Sequence, residues 1–273
     1  MSEELKIKNK IEIEPKGSYF KVDDEGYIIN PTSAEKVQEE WRLAIDDVVK
    51  AYQEAYGDKL KAVYVRGSVA KGEAIENVSD MDTFAYVDLP KEEIDTKWEK
   101  ASVAKLKEKY PFVEGFELGA FPLSDTETRE DQIFLLQSLC VFGEPFEVQK
   151  RKAGKDMLFH FPMTEKRMFN FKEKLNKVES DEKIKSACTW MMKNILRTGF
   201  ELTMERSQKY TRDLYLCYKG FSDYYPEYES QMRMVLDLAL NPVTNKDEIT
   251  KTLEAIIPWM ITECQRVDVT ETK

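Results

Sequence analysis

An apolar run over Val63, Tyr64 and Val65 ends in Arg66, Gly67 and Ser68, and eleven residues separate that serine from Asp80, Met81 and Asp82. Alternate residues of an extended strand project to the same side. Two carboxylates one residue apart therefore point together, close enough to share a divalent cation. The Gly-Ser bend offers backbone N–H groups and a hydroxyl to a phosphate. Carboxylates that can hold metal beside a phosphate cradle are what phosphoryl or nucleotidyl transfer requires.

Other chemistries are poorly supplied. The chain has one histidine, His160, so a zinc site and a Ser-His nucleophile system are both disfavoured. Its four cysteines, Cys140, Cys188, Cys217 and Cys264, are scattered through apolar surroundings without metal-ligand spacing and read as buried thiols. Acid–base and metal work is thereby left to carboxylates. Residues 1–150 carry 20 basic against 32 acidic side chains, whereas residues 151–273 carry 21 against 19. The strongly acidic first part argues against a broad polyanion-binding face, and so against nucleic acid as partner. It favours a neutral or cationic small acceptor, although solubility alone explains the charge equally well. No apolar run approaches a membrane span, and the N-terminus lacks an apolar signal core; a cytoplasmic protein is expected.

The elements that must position these residues follow from pattern. Residues 1–32 read as a lead-in with short strands near residues 10–14 and 26–31. Thr32 and Ser33 are expected to cap a helix whose apolar positions are Val37, Trp41, Ile45, Val48, Tyr52 and Ala55, ended by Gly57. A strand over 61–66, a short helix over 68–76 and a strand over 82–88 follow. A charged helix is expected from Pro90 to Tyr110, a strand over 112–122, and a helix from Ser124 to Phe142 with capping-box spacing to Glu127. From about residue 150 the pattern is helical. Four amphipathic faces are carried by Ile184 to Phe200, Leu214 to Phe221, Tyr228 to Leu240 and Ile249 to Cys264, the last bent at Pro258. The tail from Asp268 is expected to fray.

The Gly67-Ser68 bend, the eleven-residue gap and the Asp80/Asp82 pair, set in strand, turn, helix and strand, resemble the signature of the DNA polymerase β-like nucleotidyltransferase superfamily over roughly residues 60–120. More loosely, the whole chain resembles the antibiotic nucleotidyltransferases, notably the aminoglycoside adenylyltransferases. Arg197 to Gly199 and Lys209 to Arg212 resemble the nucleotide-facing helices of their bundle. The resemblance implies an α+β fold: a polymerase β-like palm, a mixed sheet with helices over 33–148, followed by an α-helical bundle over 149–273.

It also implies roles. Asp80 and Asp82 would ligate two Mg²⁺ ions bridging a triphosphate, an oxygen-rich arrangement that suits magnesium. Gly67 would let backbone approach phosphate and Ser68 would hydrogen-bond a terminal phosphate oxygen. A third carboxylate, Glu117 with Glu114 as runner-up, would complete the metal site or deprotonate the acceptor. Lys71 would neutralise leaving pyrophosphate, or else be a surface lysine. Lys209 and Arg212 would reach phosphate from the bundle, or else be helix-surface charges. Arg66 is assigned to structure and His160 to packing. Tyr215, Tyr218, Phe221, Tyr224 and Tyr225 are assigned to the bundle core.

The expected reaction is transfer of a nucleoside monophosphate, AMP from ATP, to a hydroxyl of a small molecule such as an aminoglycoside-like antibiotic, which would confer resistance. Two alternatives stay open: nucleotidyl transfer to a protein or RNA, and a non-catalytic nucleotide-binding or antitoxin-like module of the same fold. The sequence leaves oligomeric state open.

Overall fold

A computed structural model describes residues 15–161 and 164–269. They form two compact units, one of Lys21–Lys150 and one from Arg151 onward that takes in the stretch ending at Phe20.

The first unit is built on a four-stranded sheet. Strand β1 (Leu60–Arg66) is central, with β2 (Met81–Val87) antiparallel on one side and β4 (Ser138–Gly143) antiparallel on the other; β3 (Phe116–Pro122) runs parallel to β2 at the edge. Helix α1 (Glu39–Tyr56) places Trp41, Ala44, Ile45, Val48, Tyr52 and Tyr56 on one buried stripe, the three- and four-residue spacing of an amphipathic helix. That stripe packs on the sheet face made by Val63, Val65, Met81, Ala85 and Leu118, which Leu106 of α3 (Lys97–Lys109) also covers. Asp47 of α1 accepts from Tyr110 Oη at 2.7 Å and pairs with Lys109, and the Lys109 ammonium holds its carboxyl far below the usual carboxylate range. The end of α3 is thereby tied to α1.

The opposite sheet face is aromatic. Tyr64 and Phe84 stack at 5.4 Å, and Tyr86 meets Phe146 edge-on at 5.3 Å. This face is closed by Leu135 of α4 (Arg129–Leu135). Short helix α2 (Gly67–Lys71) joins β1 to the β2 approach and stops at Gly72, whose φ of 73° lies in the left-handed region.

Several boundaries differ from the sequence reading. Helix α1 begins at Glu39; residues 34–36 form a separate 3₁₀ turn, and Gln38 stands at the cap without a side-chain bond. Helix α3 begins at Lys97. The segment expected as one helix over 124–142 is a 3₁₀ turn, α4 and the strand β4. The helix start lies at Thr128, whose Oγ1 accepts the Asp131 N–H at 3.2 Å, so the Ser124 box does not form. Leu139 to Phe142 go to the sheet because β1 is buried on both faces and its second edge needs a hydrogen-bonding partner.

The second unit is helical: α5 (Thr164–Lys177), α6 (Asp181–Glu201), α7 (Met204–Ser207), α8 (Leu214–Tyr224), α9 (Glu229–Leu240) and α10 (Lys246–Val269). Helix α5 has no counterpart among the four faces expected from the sequence, and α10 continues through Pro258 to include Asp268 and Val269, where fraying is expected; residues 1–14 and 270–273, with the strand expected near 10–14 and the rest of the tail, lie outside the described residues. Close helix crossings depend on two glycines. A Cβ on Gly199 would lie 2.9 Å from Phe221 Cδ2, and one on Gly220 would lie 2.8 Å from Phe200 Cε2. Phe221, Tyr218 and Tyr225 are buried as expected, while Tyr224 is more than a third exposed. The stretch before residue 21 packs here: Phe20 N–H donates to the Tyr210 carbonyl at 2.8 Å and Ser18 N–H to Asp213 Oδ2 at 2.8 Å.

His160 is buried against Glu201. Its Nδ1 lies 2.7 Å from Glu201 Oε1, while burial, opposed by the Glu201 charge, pulls the imidazole down to about 4. The folded protein therefore resists a proton that the unfolded chain binds below about pH 6.5. Stability is complete above that pH and falls as pH drops toward 4, by about 1.4 kcal/mol per unit. As the only histidine, it gives one imidazole NMR signal. That signal should stay in the neutral form at pH 5.5; an inflection near 6.5 in the native protein would refute the assignment.

Candidate active site

The site is built on a row of side chains across three strands. Arg66 ends β1, Asp82 faces it as its antiparallel partner on β2, and Glu117 faces Asp82 as its parallel partner on β3. All three lie on the aromatic face, because Val65, Met81, Thr83, Phe116 and Leu118 between and beside them turn to the other core. Met81 is fully buried there, so Asp80, just before β2, also turns away from it; Asp80 is exposed and Asp82 half-buried.

Gly67 opens the turn with φ of 76°, a backbone that disfavours side chains, and a Cβ there would stand 3.2 Å from Asp82 Oδ2. The bend and the second aspartate are therefore neighbours. Ser68 follows in the first turn of α2, half-buried. Arg66 reaches both carboxylates: Nε is 4.0 Å from Asp82 Oδ2 and a terminal nitrogen is 3.7 Å from Glu117 Oε2. Its guanidinium carbon lies 5.0 Å from the centroid of the Phe134 ring.

The two glutamate candidates separate. Glu117 is on the strand beside Asp82. Glu114 is in the preceding turn, where its N–H donates to the Ser79 carbonyl at 3.0 Å and its carbonyl accepts from Lys107 Nζ at 2.7 Å. Lys71 closes α2 and pairs with Glu73 Oε2 at 2.8 Å. Lys209 and Arg212 belong to the helical unit. There Lys209 Nζ lies 5.0 Å from the Tyr19 ring centroid, beside a groove of about 250 Å³ lined also by Arg206, Ser207 and Asp223. Arg212 is half-buried, and its charge adds to the downward pressure on His160.

Arg66, assigned to structure from the sequence, stands against two of the candidate acids. Its pairing with Asp82 and Glu117 depends on strand register, which a single sequence does not display. The available signal was its place two residues beyond Tyr64 on the same face, directly before the glycine.

The donors present suit a hard divalent cation in kind: they are carboxylate oxygens, and a guanidinium cation already stands against two of them. Among the described residues, no three His, Cys, Asp or Glu side chains gather closely enough to form a ligand cluster by themselves. A cation held here would draw remaining ligands from phosphate and water, the usual habit of magnesium. Among the described residues no helix is long and apolar enough to cross a membrane.

Among solved structures the chain is similar to the spectinomycin adenyltransferase AAD(9) from Enterococcus faecialis, determined with ATP and spectinomycin. Identity is 12%, the TM-score is 0.47, and the match covers 82% of this chain and 99% of that one. No curated protein matches the sequence. Residues 45–134 match the family model described as a nucleotidyltransferase domain. That stretch contains Gly67, Ser68, Lys71, Asp80, Asp82, Glu114 and Glu117, together with β1, β2 and β3. The chain carries a nucleotidyltransferase domain with a mixed sheet, joined in one α+β protein to a helical region, and nucleotidyl transfer is its class of reaction.

Proposed function

We infer that the protein transfers a nucleoside monophosphate, AMP from ATP, to a hydroxyl of a small cationic molecule of the aminoglycoside kind. The observation that carries this reading is the row of Asp82 and Glu117 beside the Gly67 turn. The acidic composition of residues 1–150 supports a cationic acceptor.

Asp82, with Asp80 or Glu117 beside it, would hold Mg²⁺, and phosphate and water would complete its ligands. When bound, that ion would neutralise charge on the triphosphate and stabilise the displaced oxygen. The remaining work belongs to the chain's own groups. Gly67 lets backbone approach a phosphate, and the Ser68 hydroxyl donates to one of its oxygens. Glu117, largely exposed on its strand, accepts the proton of the acceptor hydroxyl. The acceptor oxygen forms its bond to the α-phosphorus as the bond to the bridging oxygen breaks, and pyrophosphate leaves in line. Lys71, at the end of the short helix after the Gly67 turn, is proposed to steady the departing phosphates.

Pyrophosphate release tests the reading. The protein should be supplied with Mg²⁺, each triphosphate in turn, and a panel of aminoglycosides and lincosamides. Release is expected to require both ATP and one acceptor, with that acceptor gaining the mass of one AMP unit. Release dependent only on added protein or RNA would overturn the small-molecule assignment.

A further inference from the structure

The geometry points to Arg66 as the resident counter-charge of the carboxylate row, a positioning residue that holds Asp82 and Glu117 side by side and competes with a divalent cation for them. This inference rests on the metal-holding role proposed above for the row.

Three observations carry it. First, Arg66 is set by register: it is the direct cross-strand partner of Asp82, which is itself the partner of Glu117, so one side chain on the central strand faces both acids. Neighbouring like charges on one sheet face repel. A cation that faces both acids offsets part of that repulsion. Second, both contacts are long. At 4.0 and 3.7 Å they exceed hydrogen-bond distance, so charge attracts the guanidinium but no directed bond locks it. Third, the group has somewhere to rest. It lies over the Phe134 ring, whose face attracts a cation and offers a flat surface for guanidinium stacking. The side chain is about three-quarters buried, which limits its alternative positions. A cation that is near, unlocked and supported from behind can yield to a stronger one.

Arginine suits this task better than lysine. Its planar fork faces two acids at once while its face lies on a ring. An ammonium would deliver a point charge to one acid and would lose the stacking surface.

Metal affinity without nucleotide is the direct readout. Mn²⁺ binding should be followed by electron paramagnetic resonance in the wild type, R66Q, R66K and D82N, each checked for native far-UV circular dichroism. R66Q is expected to bind Mn²⁺ about tenfold more tightly or more, about tenfold being the effect of one unit charge about 4 Å from a carboxylate in bulk water and so the lower bound for a partly buried pair. R66K should fall between R66Q and the wild type, and it carries the test alone if R66Q does not fold. A wild type without measurable binding beside an R66Q that binds supports the same conclusion. Equal or weaker binding by both Arg66 variants, or no binding by any protein, overturns it. D82N separates the two claims: if Mn²⁺ binding survives D82N unchanged, the metal-site reading fails, whereas binding lost in D82N and unmoved in R66Q removes only the role given to Arg66.

Discussion

Replacing Asp82 by Asn is expected to lower kcat/KM for triphosphate-dependent transfer by about 10³-fold or more, close to 4 kcal/mol of transition-state stabilisation. The substitution keeps the shape of the side chain and removes one negative charge. Asp82 is the carboxylate on which the local geometry converges. It pairs in register with Arg66 and Glu117, and it touches the space that Gly67 leaves open. Glu117→Gln should cost less, about 10²-fold, and mainly in kcat, because a proton acceptor acts in the chemical step. Glu114→Gln should leave the rate within about twofold, since that residue sits in the turn ahead of the strand. Steady-state pyrophosphate release with the three variants decides the matter. A D82N protein with wild-type turnover would dismiss the assignment of the site.

Glu201→Ala is the second large effect, and it falls on stability. Glu201 is buried at 6% exposure at the end of α6. Its carboxylate accepts N–H groups from three consecutive residues, Phe159 at 3.2 Å, His160 at 2.9 Å and Phe161 at 2.8 Å, as well as contacting the His160 ring. One side chain thus satisfies a whole turn of irregular backbone. Alanine leaves those donors without an acceptor, and each buried orphan costs about 1–3 kcal/mol before relaxation and water entry. Removing one partner of a buried charged network usually costs about 3–5 kcal/mol, and a loss of that size is expected. Glu201→Gln should recover part of it, because one carbonyl oxygen remains. Urea unfolding followed by far-UV circular dichroism measures both; a change below about 1 kcal/mol for the alanine variant would show that the turn holds itself.

The contrast between those two residues shows what one chain reveals about itself. Asp82 stood out as a candidate because its setting is punctuated in the sequence: an apolar run, a glycine turn and a second apolar run. Glu201 did not, because its partners lie some 41 positions earlier and it ends a helix where a solvent-facing acid would look the same. Strand β4 escaped for a different reason. Leu139 to Phe142 follow α4 with only three residues between and no glycine or proline, and a short apolar run has no period of its own. The need of β1 for a second neighbour decided it. Arg66 was visible as a residue and invisible as a partner, since strand register is a long-range property. The helical faces of α6, α8, α9 and α10 were readable from their spacing, whereas Gly199 and Gly220 disclosed their purpose only when the opposing phenyl rings were in place.

The missing methyl at Gly67 has a wider meaning for how such a protein can change. With φ of 76° and the Asp82 oxygen 3.2 Å from where a side chain would begin, the bend and the acid share one small volume. Enlarging the first residue displaces the second, and shifting the second leaves a hole beside the first. A side chain at Gly67 is therefore tolerated only as far as its strained backbone and a shift of the Asp82 carboxylate by a few tenths of an ångström allow.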